Sequence, residues 1–150
     1  MADTKIITID DPVLRTYLFY SSILALKMLA MSPFTGIKRI LYKVFVNPED
    51  GKSFDAEPKT DERVERIRRA HLNDLENIPV FFICGLIYTL TNPSPIAAKA
   101  LFITYTIARF GHTFVYTIYP LPQPSRVICF FTGLSITAYM AITGFIHFIA

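Results

Sequence analysis

The sequence predicts an all-α integral membrane protein, built as an up-down bundle of four transmembrane helices in one domain over residues 1–150. Apolar residues make up 52% of the chain and the mean hydropathy is +0.39, which is high for a water-soluble domain. The apolar residues are also clustered. The 24 residues 127–150 contain no Lys, Arg, Asp or Glu, whereas a transmembrane helix needs about 20 residues. Short proline-rich connections separate the later apolar segments, so successive helices are expected to be antiparallel.

The first helix is predicted over residues 11–45. Asp10 or Asp11 can cap its amino end, and Pro12 suits the first turn of a helix. Residues 16–37 carry one charged residue, Lys27, which either snorkels to the membrane surface or faces the bundle. The leading segment has three acids against two bases and no early apolar run. It therefore lacks the pattern of a signal peptide, and the first helix is expected to be retained.

A hydrophilic cytosolic loop is predicted over residues 46–61, because residues 47–61 read NPEDGKSFDAEPKTD. The second helix is expected over residues 62–90, where it begins among charged residues and continues into apolar ones. Nine of the fifteen Lys and Arg lie between residues 38 and 69. The positive-inside rule therefore places this loop in the cytosol and both termini in the lumen. A nucleic-acid-binding surface is disfavoured, because these basic residues flank apolar spans.

The third and fourth helices are predicted over residues 96–118 and 125–149. The turn TNPSP (91–95) precedes the third helix, and YPLPQPSR (119–126) has three prolines at alternate positions, which cannot continue a helix. The two cysteines, Cys84 and Cys129, lie in apolar runs and are expected to be packing residues rather than a disulfide or a metal pair. No spacing typical of a zinc site occurs in the sequence.

Two of the predicted helices carry polar residues at helical spacing. They recur at i, i+4, i+7 in the second helix and at i, i+3, i+7 in the third, so each set forms one stripe. Ionisable groups inside a membrane usually face the bundle interior or a wet cavity. Both stripes fall at the cytosolic ends of their helices, so we expect them to line one pocket. The stripes consist of Arg69, Asn73 and Glu76 on the second helix and of Arg109, His112 and Tyr116 on the third.

The expected pocket suits a charged, flexible ligand that has carboxylates and an amine, because Arg binds carboxylates and Glu can receive an amine. A structural salt bridge between Glu76 and Arg109 is an alternative, and it does not exclude ligand binding. Arg63 and Arg68 are instead expected to face lipid headgroups. The sequence has no Ser/His/Asp arrangement, glycine-rich phosphate loop or metal cluster, so a hydrolase is disfavoured.

Four segments are distinctive as sequences: VFVNPED (44–50), DERVERIRRAHLNDLENI (61–78), ARFGHTFVY (108–116) and PLPQPSR (120–126). Together they resemble the MAPEG family (membrane-associated proteins in eicosanoid and glutathione metabolism), and within it the type 1 microsomal glutathione S-transferase branch. The resemblance covers nearly the whole chain. It implies a homotrimer in the bilayer of the endoplasmic reticulum, with the mitochondrial outer membrane as a second location. It also implies that glutathione, as co-substrate, binds between neighbouring protomers at the cytosolic side, without a metal.

The resemblance also assigns site residues. Arg126, which opens the fourth helix, matches the arginine placed at the glutathione sulfur and is the expected catalytic residue. Arg39 matches the first-helix arginine that contacts the tripeptide, and His71 belongs to the motif of the second helix. The other glutathione-binding positions are matched by Arg69, Asn73, Glu76, Arg109, His112 and Tyr116.

The chain departs from related branches at three positions. Val127 stands where the prostaglandin E synthase branch carries a serine, and Leu72 stands where that branch has a further basic residue. Gly51 stands where some transferase relatives have a cysteine, so thiol-based activation at that position is absent. The neighbouring Asp50 is retained.

The resemblance implies a membrane-bound glutathione transferase that joins glutathione thiolate to hydrophobic electrophiles, with peroxidase activity toward lipid hydroperoxides. A glutathione-dependent eicosanoid synthase of the prostaglandin E type is an alternative, and so is a non-catalytic lipid-binding member of the family. The complete set of polar residues disfavours the non-catalytic alternative. A transporter is disfavoured because the chain shows no broken-helix pair or inverted repeat.

Overall fold

The computed structural model of the protein describes residues 9–149, and that part of the chain is all-helical. Residues 1–8, where most of the predicted uncleaved leading segment falls, lie outside the described range. Four helices are long and one is a short loop helix, and a π-helical turn follows the third long helix directly. In chain order the elements are α1 Pro12–Tyr42, α2 Pro48–Lys52, α3 Glu62–Leu90, α4 Pro95–Thr113, the π-helix π1 Phe114–Ile118, and α5 Ser125–Ile149.

Helix α1 begins and ends at local backbone signals. The Asp11 carboxylate accepts hydrogen bonds from the backbone N–H groups of Val13 (2.9 Å) and Leu14 (3.0 Å), and Pro12 occupies the first helical turn. The helix ends at Tyr42, a few residues before the predicted end, because Lys43 adopts a left-handed conformation with φ of 49°. The predicted loop 46–61 also differs, since it contains the short helix α2.

Helix α3 buries one stripe along its whole length. Its buried residues recur every three or four positions, which is the period of an amphipathic helix. The carboxylate of Asp61 caps its first turn through the backbone N–H of Arg63, at 2.8 Å. Hydrogen bonds from Arg63 also hold the pKa of Asp61 at about 2. The buried residues of α3 are Val64, Ile67, Ala70, Asp74, Ile78, Phe81, Cys84, Gly85, Tyr88 and Thr89.

The four long helices pack around an aromatic core. Helices α1 and α5 each lie against both α3 and α4, whereas α3 and α4 touch each other only sparsely. Phe81 of α3 stacks on Tyr105 of α4 with ring centroids 3.8 Å apart, and Phe102 meets Phe81 and Tyr17 edge-on. Lys27 lies on the buried stripe of α1 and is 7% exposed, so it faces the bundle.

Two helices in the described range, α1 and α5, are long and apolar enough to cross a membrane, with mean hydropathies of 1.3 and 1.7. In the most apolar 18-residue segment of each helix, only 17% and 28% of the residues are buried. The core helix of a soluble protein would be mostly buried, so these helices present their apolar sides to the surroundings as membrane spans do. Helix α3 is long enough to cross a membrane but is less apolar than α1 and α5, because its first half carries the polar stripe.

Candidate functional site

A polar cavity of about 400 Å³ lies between the amino-terminal half of α3, the junction of α4 with π1, and the start of α5. Six of the residues predicted for the site line it, and they come from four different elements: α3, α4, π1 and α5. Apolar side chains of α3 and α5 complete the wall. The lining residues are Arg69, Leu72, Asn73, Glu76, His112, Tyr116, Gln123, Arg126, Val127 and Phe130.

Tyr116 links two of the cavity's arginines. Its hydroxyl accepts a hydrogen bond from Nε of Arg69 at 3.1 Å. The guanidinium carbon of Arg126 lies 4.7 Å from the centroid of its ring, a cation–π contact. Tyr116 lies in π1, a wider turn than an α-helix, and π turns occur frequently at functional sites. The sequence predicted an unbroken α-helix to residue 118, so this local geometry is a correction.

Arg126 has unused hydrogen-bonding capacity in the cavity. Its Nε is buried and has no hydrogen-bond partner among the described residues. It is the second residue of α5, where the unpaired backbone N–H groups of a helix favour a negative charge. A buried guanidinium donor without a partner is costly, so the position is suited to an anion.

Arg69 is the more exposed of the two arginines. Its Nη2 donates to the Glu62 carboxylate at 2.5 Å, about two turns earlier on α3, and 43% of its side-chain surface is exposed. Among the charged residues lining the cavity, Arg69 and Arg126 face one carboxylate, Glu76. The cavity therefore carries excess positive charge, which favours an anionic ligand.

Arg109 lies behind the cavity wall rather than in it. Its side chain is 1% exposed, and its Nη2 donates to Oδ1 of Asn73 at 2.8 Å and to Oδ1 of Asp74 at 2.6 Å. The alternative salt bridge between Glu76 and Arg109 is wrong, because the carboxylate that pairs with Arg109 is Asp74. Asp74 and Glu76 lie on nearly opposite sides of the helix, about 160° apart, and only Asp74 lies on the buried stripe.

Asp74 is the residue that the sequence reasoning missed. It is fully buried and accepts hydrogen bonds from Lys27 and Arg109. Its spacing of four residues from both Ala70 and Ile78 was a usable signal, since these three share the buried stripe. Lys27 in an apolar stretch was a second signal, because a buried ammonium requires a counter-ion.

Besides Arg109, two predicted residues lie outside the cavity, Arg39 and His71. Arg39 lines a separate cavity of about 350 Å³, together with Glu49 and Asp50 of α2, and its Nε is buried without a partner in the described range. His71 is half-buried on α3 and lines neither cavity. One chain alone therefore does not bring Arg39 to Arg126. No group of three or more His, Cys, Asp or Glu within residues 9–149 is arranged to hold a metal ion.

Comparison with known proteins gives a consistent result over nearly the whole chain. The MAPEG family model matches residues 17–146. The chain is 46% identical to "Microsomal glutathione S-transferase 1" of Homo sapiens over 138 residues, 88% of each chain, and 46% identical to the protein of that name from Mus musculus over 147 residues, 94% of each. It is 33% identical to "Prostaglandin E synthase" of Equus caballus over 147 residues, 95% of this chain and 94% of the relative. The predicted resemblance is confirmed, and the chain belongs to the MAPEG family.

Proposed function

We propose that this membrane protein is a glutathione transferase, which joins the sulfur of glutathione to hydrophobic electrophiles. The observation that carries the proposal is the buried, unpartnered Nε of Arg126 in a cationic cavity whose wall includes Arg69 and Glu76. Relatives named microsomal glutathione S-transferase 1, at 46% identity, support the same activity.

The cavity suits glutathione as co-substrate. The tripeptide has two carboxylates, an amine and a thiol, and it is anionic at neutral pH. Arg69 would bind a carboxylate, Glu76 the amine, and the amide of Asn73 a further polar group. The volume of about 400 Å³ falls within the usual range of small-molecule sites, roughly 300–1,000 Å³. His112 and Tyr116 would complete the wall around the peptide.

Arg126 would supply the chemistry by stabilising the thiolate. A free thiol has a pKa of about 8.5, and lowering it by roughly two units requires about 2.7 kcal/mol of preferential binding of the thiolate. A guanidinium at the first turn of α5 can provide this through charge and hydrogen bonding. The thiol proton passes to water, the sulfur forms a bond to the electrophilic carbon, and the leaving group departs with the electron pair of its bond. Val127 and Phe130 beside Arg126 form an apolar wall that the electrophile can reach from the bilayer.

The assembly that best fits these roles is a homotrimer of four-transmembrane-helix, up-down protomers, each a single domain. Arg39 supports it, because this residue lies in a cavity of its own with an unpartnered Nε and needs a neighbouring chain to reach glutathione. The basic residues between 38 and 69 support a cytosol-facing site in the membrane of the endoplasmic reticulum.

The same thiolate could reduce lipid hydroperoxides, which makes peroxidase activity a second function of the site. The relative named prostaglandin E synthase makes endoperoxide isomerisation an alternative. Val127, beside Arg126 in the cavity, offers no hydroxyl for such chemistry. A non-catalytic lipid-binding role would leave the polar lining without a purpose.

Product analysis distinguishes these functions. Detergent-purified protein and glutathione would be given an activated aryl chloride, a lipid hydroperoxide or a prostaglandin endoperoxide. We expect the aryl conjugate with release of chloride, and a decrease of about 100-fold in kcat in Arg126→Ala. Arg68→Ala is the matched control, because Arg68 is exposed and outside the cavity. Turnover of the endoperoxide alone, or of none of the three, would contradict the transferase.

A further inference from the structure

Three buried charged residues meet behind the candidate glutathione cavity, one from each of three helices. They are Lys27 of α1, Asp74 of α3 and Arg109 of α4, with side chains 5%, 0% and 1% exposed. Oδ2 of Asp74 accepts from the Lys27 ammonium, and Oδ1 accepts from Nη2 of Arg109 at 2.6 Å. The Lys27 ammonium also donates to the Thr113 hydroxyl at 2.7 Å. Both oxygens of the carboxylate are therefore in use.

Arg109 connects this network to the wall of the cavity through a hydrogen bond to Asn73. The nitrogen that binds Asp74, Nη2, also donates to Oδ1 of Asn73 at 2.8 Å. Because the amide oxygen of Asn73 is held from behind, its amide nitrogen is the end that remains to donate hydrogen bonds toward a ligand. Asn73 lines the cavity and Arg109 does not. The orientation of the Asn73 amide thus depends on where Arg109 is held.

Lys27 determines how many cations share the Asp74 carboxylate. With Lys27 present, one carboxylate serves two cations, and Arg109 uses only one Nη on it. Without Lys27, Arg109 would be the one cation left on the Asp74 carboxylate among the described residues, beside the Thr113 hydroxyl at 3.4 Å. For such a pair the two-pronged geometry of Arg and carboxylate is strongest. The Arg109 guanidinium would then donate two parallel hydrogen bonds to the Asp74 carboxylate and lose its hydrogen bond to the amide oxygen of Asn73. The Phe110 ring, whose centroid lies 5.8 Å from the Lys27 ammonium, carries no charge and cannot replace Asp74 as the counter-ion of Lys27.

We propose that Lys27 and Asp74 are positioning residues for the glutathione site, which act by fixing Arg109 and, through it, the orientation of the Asn73 amide. This inference rests on the proposed function. It assigns a role in ligand recognition to Lys27, which is not among the residues that line the polar cavity and lines a separate, apolar cavity instead.

The test replaces Lys27 by Met, which is similar in length and uncharged, and by Arg, which keeps the charge. We expect Lys27→Met to raise the KM for glutathione about tenfold, as for loss of one hydrogen bond to a charged or oriented polar group. The KM for the electrophile should stay unchanged, because its apolar wall is untouched. Lys27→Arg should restore the glutathione KM to within about twofold of the wild type.

A double-mutant cycle separates positioning from general stability. If Lys27 acts through Asn73, then Lys27→Met should add nothing to the glutathione KM in an Asn73→Ala background. An additive effect, an unchanged glutathione KM, or equal increases in both KM values would overturn the inference. If Lys27→Met does not assemble, Thr113→Val loosens the ammonium without removing a charge. An increase of about threefold in glutathione KM is then expected, and no increase would overturn the inference.

Measurements on the wild-type protein distinguish a failure of the proposed function from a failure of this inference alone. Absence of glutathione binding in the wild type would refute the proposed function and this inference with it. Binding and turnover in the wild type, with an unchanged glutathione KM in Lys27→Met, would refute the inference alone.

Discussion

Tyr116 meets Arg69 and Arg126 with different parts of its side chain, so the two contacts can be separated by substitution. The hydroxyl accepts from Arg69, whereas the ring lies under the guanidinium of Arg126. In the proposed site Arg69 anchors the peptide and Arg126 stabilises the sulfur. The hydroxyl should therefore matter for binding, and the ring should matter for the reactive group.

Tyr116→Phe tests this separation. We expect the glutathione KM to increase about three- to tenfold, from loss of one hydrogen bond, while thiolate formation at saturating glutathione stays unchanged. Steady-state kinetics and the ultraviolet thiolate band measure the two quantities. Tyr119→Phe is the matched control, since Tyr119 is exposed and outside the cavity. Loss of the thiolate at an unchanged KM would show that the hydroxyl acts on the sulfur instead.

Single residues also show what the sequence could and could not predict. The stripes at residues 69, 73 and 76 and at 112 and 116 were predicted from helical spacing, and their side chains do line one cavity. The salt bridge between Glu76 and Arg109, considered as an alternative, is wrong, because Arg109 pairs with Asp74. The spacing of Asp74 from Ala70 and Ile78 places it on the buried stripe, but its partner Lys27 lies 47 residues earlier in the chain, and helical spacing within α3 does not identify that partner.

The long helices were predictable as elements because apolar runs and prolines define them, whereas α2 and π1 were not. Five residues are too few to show a period, and α2 lies in a stretch rich in Pro, Gly and acids. The π-helix has the same apolar character as the α-helix before it. Its hydrogen bond from the Tyr119 N–H to the Phe114 carbonyl, at 2.9 Å, depends on how the chain turns before Pro120.

Helix α2 makes a close backbone contact that explains its glycine. A Cβ on Gly51 would lie 2.3 Å from the carbonyl oxygen of Ala56, and that oxygen is backbone that cannot rotate away. The loop is otherwise held by the stacked rings of Phe45 and Phe54, with centroids 5.0 Å apart. A cysteine side chain at this position would therefore require a different loop conformation.

Gly51→Ala should destabilise the protein by about 1–3 kcal/mol, as overpacking of a close contact does. Thermal unfolding in detergent measures the effect. Gly36→Ala in α1 is the matched control, because a Cβ there meets no atom within 4 Å. That control should be neutral or stabilise by up to about 1 kcal/mol. Equal melting temperatures for Gly51→Ala and the wild type would contradict the close contact.

In the whole molecule, the cavity is built by one chain but Arg39 stands apart from it. The assignment of Arg39 came from the family resemblance, and no feature within one chain could have tested it. The same holds for the homotrimer. Intrachain spacing predicts which residues share a helix face, whereas contacts between protomers depend on surfaces that helical period does not specify.

Complementation between variants tests the predicted exchange of Arg39. Arg39→Ala and Arg126→Ala protomers, each with reduced activity alone, would be co-expressed and purified as mixed assemblies. A cavity with intact Arg126 can then receive Arg39 from its neighbour, so we expect activity to recover to a sizeable fraction of the wild type. If Arg39 served the cavity of its own chain, every site would lack one arginine and the mixture would stay inactive.

The most direct test of the account is the pKa of the glutathione thiol bound to the protein, read from the ultraviolet thiolate band as pH is varied. We predict a value of about 6.5 in the wild type, two units below the free thiol, and a return to about 8.5 in Arg126→Ala with glutathione still bound. Arg68→Ala should match the wild type. An unshifted thiol in the wild type, or the same lowered pKa in Arg126→Ala, would contradict the role of Arg126.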